Sequence, residues 1–194
     1  ALIDEVKQMS QFKAFDLIQT PEIVPTSVTF DLFDFAPNHP VRSKSDTYYV
    51  DKKNILRTHT TVMWYYYLQQ NQIKEKIKNG ESVGSLSYGK VYRKDEIDRK
   101  HMNVFHQIDG WLLCPKSEKL IGSEELRQVL VAIAKTVFGS AVKYRFNPDT
   151  FPYTDPSLEM EIMLEDKWIE VLGSGVVKGS VIKKLGVDPE KYNG

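Results

Sequence analysis

Apolar residues recur at helical spacing in three stretches of the sequence, and each stretch is predicted to form an amphipathic helix. The stretches run from Leu2 to Phe15, from Val62 to Lys78 and from Ser123 to Phe138. Gly80 and Gly139 follow the second and third stretches, where a glycine commonly ends a helix. The third stretch is the clearest, because a serine stands at its N-cap, two glutamates follow and an apolar stripe runs along one face.

The other apolar segments alternate with polar residues or are short and bounded by turn residues, which predicts strands. Extended segments are predicted at residues 17–23, 25–35, 46–50, 104–114, 142–146, 158–164 and 168–172. Proline-rich loops are predicted at 36–45 and 147–157, and a tight backbone feature at Gly173–Gly175. Because hairpins rather than crossover helices join most strands, residues 1–194 are predicted to form one α+β domain with a mainly antiparallel sheet flanked by helices.

The stretch from Gly89 to Gly110 is predicted to be a hairpin with a densely charged loop. In its return strand, Phe105, Gln107 and Asp109 alternate with other residues and therefore share one face. An aromatic ring, an amide and a carboxylate are unusual core residues, and together they suit the floor of a site for a flat base and a small cationic ligand. A solvated hairpin with an amphipathic return strand is the alternative interpretation.

Composition narrows the classes of protein to which the chain can belong. Hydrophobic residues make up 41% and charged residues 27%, which is typical of a globular domain. The formal net charge of +0 argues against a large nucleic-acid footprint, so any RNA contact needs local basic patches or another domain. Cys114 is the only cysteine, which excludes an internal disulfide and a cysteine-cluster zinc site. No apolar run reaches transmembrane length, and we expect no membrane partner.

Four separated segments carry a specific pattern. They are HPVRSKSDTYY (His39 to Tyr49), LRTHTT (Leu56 to Thr61), VYRKDEIDRKHMNVFHQIDG (Val91 to Gly110), and FPYTDPSLEMEI with WIEVLGSGVV (Phe151 to Ile162 and Trp168 to Val177). In this order they resemble the catalytic core of the alpha subunit of phenylalanyl-tRNA synthetase, a family of class II aminoacyl-tRNA synthetases. The resemblance covers nearly the whole chain and implies the same α+β fold, an antiparallel sheet flanked by helices.

The resemblance implies a two-step reaction. L-Phenylalanine attacks the α-phosphate of ATP to give phenylalanyl-adenylate and pyrophosphate, and the phenylalanyl group then passes to tRNA(Phe). The carboxylate is already a nucleophile, so the site needs to supply position and charge stabilisation rather than a strong base. The family also implies Mg²⁺, a beta subunit in an assembly of two alpha and two beta chains, and a cytoplasmic location, with organellar members as the exception.

Three residues of the hairpin match ATP-binding positions of the family. Arg93 matches the catalytic arginine, whose planar guanidinium binds the α-phosphate. His101 matches a histidine that reaches the phosphates, and Phe105 matches the aromatic residue that stacks on adenine. The alternative for Arg93 is a surface cation paired with Asp95 or Glu96.

Four polar residues match positions that bind the amino-acid substrate. They are His59, Thr61, Gln107 and Asp109. Asp109 stands where the family more often has glutamate. Its side chain is one methylene shorter, which leaves room for a water to bridge it to the substrate ammonium. His59 has the alternative role of a buried, hydrogen-bonded histidine, and Thr60 or Thr61 is predicted to cap the helix that follows.

The remaining matches concern the phenyl ring and the metal. Phe151 and Tyr153 match the two residues that sandwich the substrate ring, and Val177 matches the pocket floor. Asp155 matches a glutamate that holds Mg²⁺ together with the partner subunit, and a carboxylate suits a hard cation. Tyr153, like Thr61, follows the archaeal and eukaryotic version of the pattern.

The third signature motif of the family, expected directly after Gly194, is missing, as is the N-terminal coiled coil. The sequence is therefore interpreted as a catalytic core truncated at both ends, with a partial sequence or an inactive paralogue as the alternatives. Three functions remain open: the ligase itself, a non-catalytic paralogue that binds an amino acid or nucleotide, and a fragment retained for docking to a beta-type partner.

Overall fold

A computed structural model describes residues 2–94 and 102–194 as a mixture of helices and mostly antiparallel strands. The helices are α1 (Leu2–Gln8), α2 (Met63–Leu68), α3 (Asn71–Lys78), α4 (Ser123–Phe138) and α5 (Gly179–Lys184). The strands are β1 (Asp16–Ile18), β2 (Ile23–Pro25), β3 (Asn54–Leu56), β4 (Val83–Tyr92), β5 (Val104–Pro115), β6 (Tyr144–Asp149), β7 (Thr154–Leu164), β8 (Lys167–Val177) and β9 (Tyr192–Asn193). The predicted α+β class is confirmed.

The strands of the described chain form three sheets. The first has the order β1-β4-β5-β9 and the third the order β6-β7-β8, while β2 and β3 form a separate pair. All pairs are antiparallel except β1 with β4. The end of the chain connects the two larger sheets, because β9 pairs with β5 and the Gly194 carbonyl accepts a hydrogen bond from the Val177 amide at 2.8 Å.

The central hairpin is confirmed, and its first strand is longer than predicted. Strand β4 begins at Val83, and its register runs from Val83 opposite Leu113 to Tyr92 opposite Val104. The sequence of β4 contains two serines and two glycines, and glycine has low strand propensity. Ser85 and Ser87 are nevertheless fully buried, so packing rather than intrinsic preference makes this segment a strand.

Helices cover both faces of the first sheet. On one face, α2, α3 and α5 pack around Trp111 and Leu113 of β5. On the other face, Leu86 of β4 packs with α1 and with the apolar stripe of α4. Helix α4 also packs on β7 through Ala134 and Met160. Phe105, Gln107 and Asp109 share the face of β5 that carries Trp111 and Leu113, at the end of the strand that these helices leave accessible.

Two of the three helix predictions had the wrong bounds. Helix α1 ends at Gln8, because residues 9–15 continue as three-residue turns whose carbonyls at Phe12 and Lys13 accept hydrogen bonds from the Lys7 ammonium. The stretch from 62 to 78 is two helices, α2 and α3, separated at residues 69 and 70. Helix α4 has the predicted bounds, although Gly122 rather than Ser123 is its N-cap, and Glu125 accepts a hydrogen bond from the Gly122 amide.

Four predictions for the irregular regions were wrong. Residues 25–35 contain a π-helical turn, Ser27–Asp31, which buries Val28 and Phe30. Residues 46–50 form only one bridge, between Tyr49 and Ile55. The loop predicted at 147–157 is confined to residues 150–153, because β6 and β7 extend into it. Gly173–Gly175 lies inside β8, without a turn.

Within the described part of the chain, no helix combines the length and the apolar character that crossing a membrane requires.

Candidate active site

Residues 58–61 hold both arms of the hairpin. The Thr58 carbonyl accepts a hydrogen bond from Arg93 Nε at 3.0 Å. The Thr60 amide donates to Gln107 Oε1 at 3.0 Å, and Thr61 Oγ1 donates to Asp109 Oδ2 at 2.6 Å. These contacts correct the predicted helix cap: neither threonine caps a helix through its side chain, and both lie in a 3-10 turn, Thr60–Val62, facing the hairpin.

Arg93 and Phe105 lie against each other beside this row of contacts. The Arg93 guanidinium carbon lies 5.2 Å from the centre of the Phe105 ring, and both side chains are partly exposed. Phe105 is therefore not part of the packed core. Nε orients the Arg93 fork, and neither terminal nitrogen is hydrogen-bonded to another residue within 2–94 or 102–194. His101, Asp95 and Glu96 lie outside the described residues.

His59 is buried among aromatic rings. Its ring centroid lies 5.5 Å from that of Phe33 and 6.4 Å from that of Phe35. Neither ring nitrogen has a hydrogen-bond partner among the described residues, although the Thr29 backbone lies nearby. Burial, with a smaller contribution from Arg93, lowers the pKa of His59 to about 4 and keeps the ring neutral. A buried polar group with unused nitrogens is uncommon, and here it offers a donor and an acceptor to a ligand.

Asp109 is a partly buried carboxylate without an ion pair among the described residues. Burial raises the pKa of Asp109 to about 6, and the hydrogen bond from Thr61 opposes the shift. A desolvated carboxylate gains much when a cation arrives, because the cation compensates for the lost hydration. Asp109 is therefore well placed to bind an ammonium group.

Tyr153 links the aromatic wall to this carboxylate. Its hydroxyl lies near the Thr61 side chain, which itself donates to Asp109. The ring also packs edge-on against Phe33 at 5.4 Å and Trp64 at 6.1 Å. Burial raises the pKa of Tyr153 to about 12, so the hydroxyl stays protonated.

Phe151 completes the wall beside Tyr153. The two ring centroids are 5.8 Å apart and the planes differ by 15°. A third ring stacked between them would need two contacts of about 3.5–4 Å each, more than this separation provides. The predicted sandwich therefore requires the two rings to move apart, whereas an edge-on approach of a phenyl group does not. Val177 is buried near Trp64 in the same cluster as Tyr153.

Gly173 lies beneath Phe151, which sequence reasoning missed. A Cβ atom at Gly173 would lie 3.0 Å from Phe151 Cζ, closer than ordinary contacts, so the glycine leaves room for the tip of the ring against β8. We expect Gly173→Ala to displace the Phe151 ring and to raise the KM for an aromatic amino acid by about tenfold, the effect of a lost aromatic contact. Steady-state kinetics of amino-acid activation would measure it.

Gly179→Ala is the matched control, since its Cβ would meet only Pro189 at 3.4 Å. A KM that Gly173→Ala leaves unchanged, with Tm lowered instead, would show that the glycine serves folding and not the pocket.

Acidic side chains line β7 and β8. Asp155 is exposed and Thr154 beside it is buried. Glu159 accepts a hydrogen bond from Asn147 at 2.8 Å, and burial, Glu159 and Asp149 raise the pKa of Glu170, which Arg93 opposes. The described residues contain no group of three or more His, Cys, Asp or Glu side chains placed to hold a metal. One exposed carboxylate nevertheless fits Mg²⁺, which commonly takes one or two protein carboxylates together with substrate phosphates.

Comparison with known proteins decides the family. The family model described as the class II core domain of tRNA synthetases (F) matches residues 1–194. The chain belongs to this family. Its curated relatives include proteins named phenylalanine–tRNA ligase alpha subunit, and the family resemblance drawn from the four motifs is confirmed.

Three of these class II relatives show the level of similarity. The chain is 33% identical to the protein of Persephonella marina over 202 residues, which cover 98% of this chain and 55% of the relative. It is 37% identical to that of Prochlorococcus marinus over 174 residues (90% and 47%), and 33% identical to that of Coxiella burnetii over 193 residues (98% and 55%). The chain thus spans about half the length of the curated relatives it matches.

A solved structure supports the class II fold. Desulfitobacterium hafniense PylSc, a pyrrolysyl tRNA synthetase, superposes with a TM-score of 0.66 at 15% identity, over 99% of this chain and 61% of that one. At this identity the likeness concerns the fold alone. It agrees with the class II architecture predicted from the sequence.

Proposed function

We propose that this chain is the catalytic core of a phenylalanine–tRNA ligase alpha subunit, which activates L-phenylalanine with ATP and transfers it to tRNA(Phe). The observation that carries the proposal is the row of contacts from residues 58–61. These contacts hold Arg93, Gln107 and Asp109 beside a wall of aromatic rings. The names of the curated relatives support the same activity.

ATP binds on the hairpin side. Phe105 stacks on adenine through a π-face that requires no directional bond, and Arg93 donates both terminal nitrogens to the α-phosphate. Residue His101 serves the phosphates as well. Arg93 also lies close enough to His59, Tyr153 and Glu170 to influence their pKa values, so the phosphate and amino-acid sides adjoin.

Phenylalanine binds between the hairpin and the third sheet. Asp109 pairs with the ammonium group, while Gln107, Thr61 and neutral His59 supply hydrogen bonds at the polar end. Phe151 and Tyr153 contact the phenyl ring by their faces and edges, and Val177 closes the bottom of the pocket. Edge-to-face contacts of this kind contribute about 0.5–1.5 kcal/mol per pair beyond burial.

The chemical step then needs little more than placement. A carboxylate oxygen of phenylalanine forms a bond to the α-phosphorus, the bond from that phosphorus to the oxygen bridging to the β-phosphate breaks, and pyrophosphate leaves. Negative charge grows on the oxygens of the α-phosphate, where the Arg93 fork stabilises it more in the transition state than in the ground state. No proton is removed from the nucleophile, so His59 and Asp109 remain binding groups.

A beta subunit is the proposed partner, which the relatives' designation as alpha subunits supports. The proposal further places the chain in an assembly of two alpha and two beta chains in the cytoplasm. Asp155 would hold Mg²⁺ together with that partner, and the ion would neutralise phosphate charge when bound.

Asp155→Asn tests the metal role. The amide keeps the shape of the carboxylate and removes its charge, so we expect the half-saturating Mg²⁺ concentration for amino-acid activation to rise by about tenfold. Asp166→Asn, in the exposed turn between β7 and β8, is the matched control. Equal Mg²⁺ titrations for Asp155→Asn and the unmodified protein would contradict the assignment.

ATP–pyrophosphate exchange tests the function as a whole. The full-length protein that contains this chain, purified with its beta-type partner, is expected to exchange label with phenylalanine and to respond far less to tyrosine, leucine or the other amino acids. Exchange that depends on a different amino acid would show that phenylalanine is not the substrate. Phenylalanine binding without any exchange would instead indicate the non-catalytic paralogue.

A further inference from the structure

Arg57 is a buried cation, and its hydrogen bonds to other described residues all go to uncharged oxygen atoms. Its side chain is 3% exposed. Nη1 donates to the Thr20 carbonyl at 2.6 Å, to Thr20 Oγ1 at 2.7 Å and to the Pro21 carbonyl at 3.4 Å, while Nε donates to the Lys90 carbonyl at 2.8 Å. Arg57 makes no salt bridge with a carboxylate in the described ranges, 2–94 and 102–194. Glu22 lies close enough to favour the charged form of Arg57, but without an ion pair a buried charge is still costly to folding, so stability alone is a weak reason for an arginine here.

The contacts of Arg57 converge on the backbone that leads into Arg93. Its Nε holds the Lys90 carbonyl, and its own carbonyl accepts the Tyr92 amide at 2.9 Å. The next residue, Thr58, presents the carbonyl that orients Arg93 Nε. The end of β4 and the acceptor for the Arg93 side chain are therefore both fixed by residues 57 and 58.

The backbone of β4 is shaped around the Arg57 guanidinium. Gly89 has φ +151°, and a Cβ atom there would lie 2.2 Å from Arg57 Nη2. Any other residue would push the guanidinium from its place. The register puts Gly89 opposite Gln107, so this close approach occurs next to the site.

We propose that Arg57 is a positioning residue for amino-acid activation, which fixes the end of β4 so that the Arg93 fork meets the α-phosphate. The inference rests on the proposed function and adds a residue to it. Arg57 touches no reacting atom, and its effect on the reaction passes through Arg93. The grip on Gln107 and Asp109 comes from Thr60 and Thr61 instead, so the amino-acid side should be less affected.

Arg57→Lys separates these roles in the full-length protein with its partner. Lysine keeps the charge and can reach the Thr20 carbonyl, but it has no Nε for the Lys90 carbonyl. Loss of the bond from Nε to the Lys90 carbonyl should misplace Arg93. We therefore expect kcat for phenylalanine-dependent ATP–pyrophosphate exchange to fall about tenfold, while the KM for phenylalanine stays within about twofold. Arg127→Lys is the matched control, since Arg127 stacks on Phe146 at 4.5 Å, away from the hairpin.

The Arg93→Lys background distinguishes positioning from general structure. There the contact of Arg93 Nε with Thr58 is already lost, so Arg57→Lys should lower kcat by less than about twofold. The same tenfold fall in both backgrounds, or a rise in the KM for phenylalanine with unchanged kcat, would overturn the inference.

Thr20→Val provides a second test in case Arg57→Lys fails to fold. It removes one of four acceptors at nearly constant volume and should lower kcat by about threefold in the same direction. Unchanged kcat in both variants, with an active unmodified protein, would refute the role of Arg57 and leave the proposed function standing. An unmodified protein without exchange would refute both.

Discussion

Replacing Arg93 with alanine should lower kcat for phenylalanine-dependent ATP–pyrophosphate exchange by roughly 10²–10³-fold, the range found when one preorganised donor to a developing charge is removed. The Arg93 fork is held by Nε on the Thr58 carbonyl and is open at its terminal nitrogens among the described residues. It therefore needs no rearrangement when charge builds on the α-phosphate. Stability should change little, because Arg93 is only partly buried. Exchange kinetics and thermal unfolding of the same preparations would measure the two effects.

Lys94→Ala is the matched control for this result. Lys94 is an exposed cation that donates to the Lys44 carbonyl and lies over the Tyr48 ring, so its loss should leave exchange within about threefold. Phe105→Ala should act differently from Arg93→Ala, by raising the KM for ATP through the lost stacking on adenine. If Lys94→Ala and Arg93→Ala reduced exchange equally, the hairpin would be a general basic surface and not a phosphate clamp.

Asp109→Asn should raise the KM for phenylalanine by about 10²-fold, because a buried pair of ammonium and carboxylate loses its charge complement. The amide keeps the acceptor for Thr61, so the local structure should survive. Asp188→Asn, at an exposed carboxylate beside Lys191, is the control. An unchanged KM for phenylalanine would remove Asp109 from the amino-acid site.

The pH dependence of the unmodified protein should show the same group. With the pKa of Asp109 at about 6, the carboxyl group is charged at pH 8 and mostly neutral at pH 5. The kcat/KM for phenylalanine should therefore fall about tenfold per pH unit below pH 6, and Asp109→Asn should lack this inflection. His59 should not contribute it, because its pKa of about 4 keeps it neutral through this range.

The stability of the fold should change with pH in the opposite direction to kcat/KM. The pKa of Asp109 is higher in the folded protein than the 3.8 of a free aspartate, so the folded state binds this proton more tightly than the unfolded state. The free energy of unfolding then decreases as pH rises from about 4 to about 6 and stays lower above that. We expect Asp109→Asn to be more stable than the unmodified protein at pH 8 by on the order of 1–2 kcal/mol, with no difference near pH 3. A less stable variant at pH 8 would contradict the desolvated carboxylate.

The sequence predicted best the elements in which several local signals agree. Helix α4 was found with its bounds because its apolar stripe, acidic first turn and terminal glycine agree. The shared face of Phe105, Gln107 and Asp109 followed from the alternation of a strand. The first half of β4 could not be predicted this way, because its buried serines and glycines resemble a linker and become a strand only through burial.

The site was predicted as a set of residues and not as an arrangement. The alternation of the return strand singled out Gln107 and Asp109, the family motifs added Arg93, and the roles assigned to all three stay predictions. Helix-capping rules led to the wrong expectation for Thr60 and Thr61, because tertiary partners on the hairpin use their polar groups instead. Arg57 carried one signal in the sequence, a cation directly after the short strand β3. Its partner, the Lys90 carbonyl of β4, is 33 residues further along the chain and cannot be predicted from local sequence.

Two separate parts of the chain are proposed to recognise the two halves of the substrates. The groups proposed to hold ATP and the ammonium end come from residues 57–109, whereas those around the phenyl ring come from residues 151–177, and the tie between the sheets at Val177 and Gly194 is made of backbone. Ring preference can therefore be redesigned within residues 151–177 while the residues of the hairpin are kept. Libraries for larger or halogenated aromatic substrates would then vary Phe151, Tyr153 and Gly173 and leave the hairpin untouched.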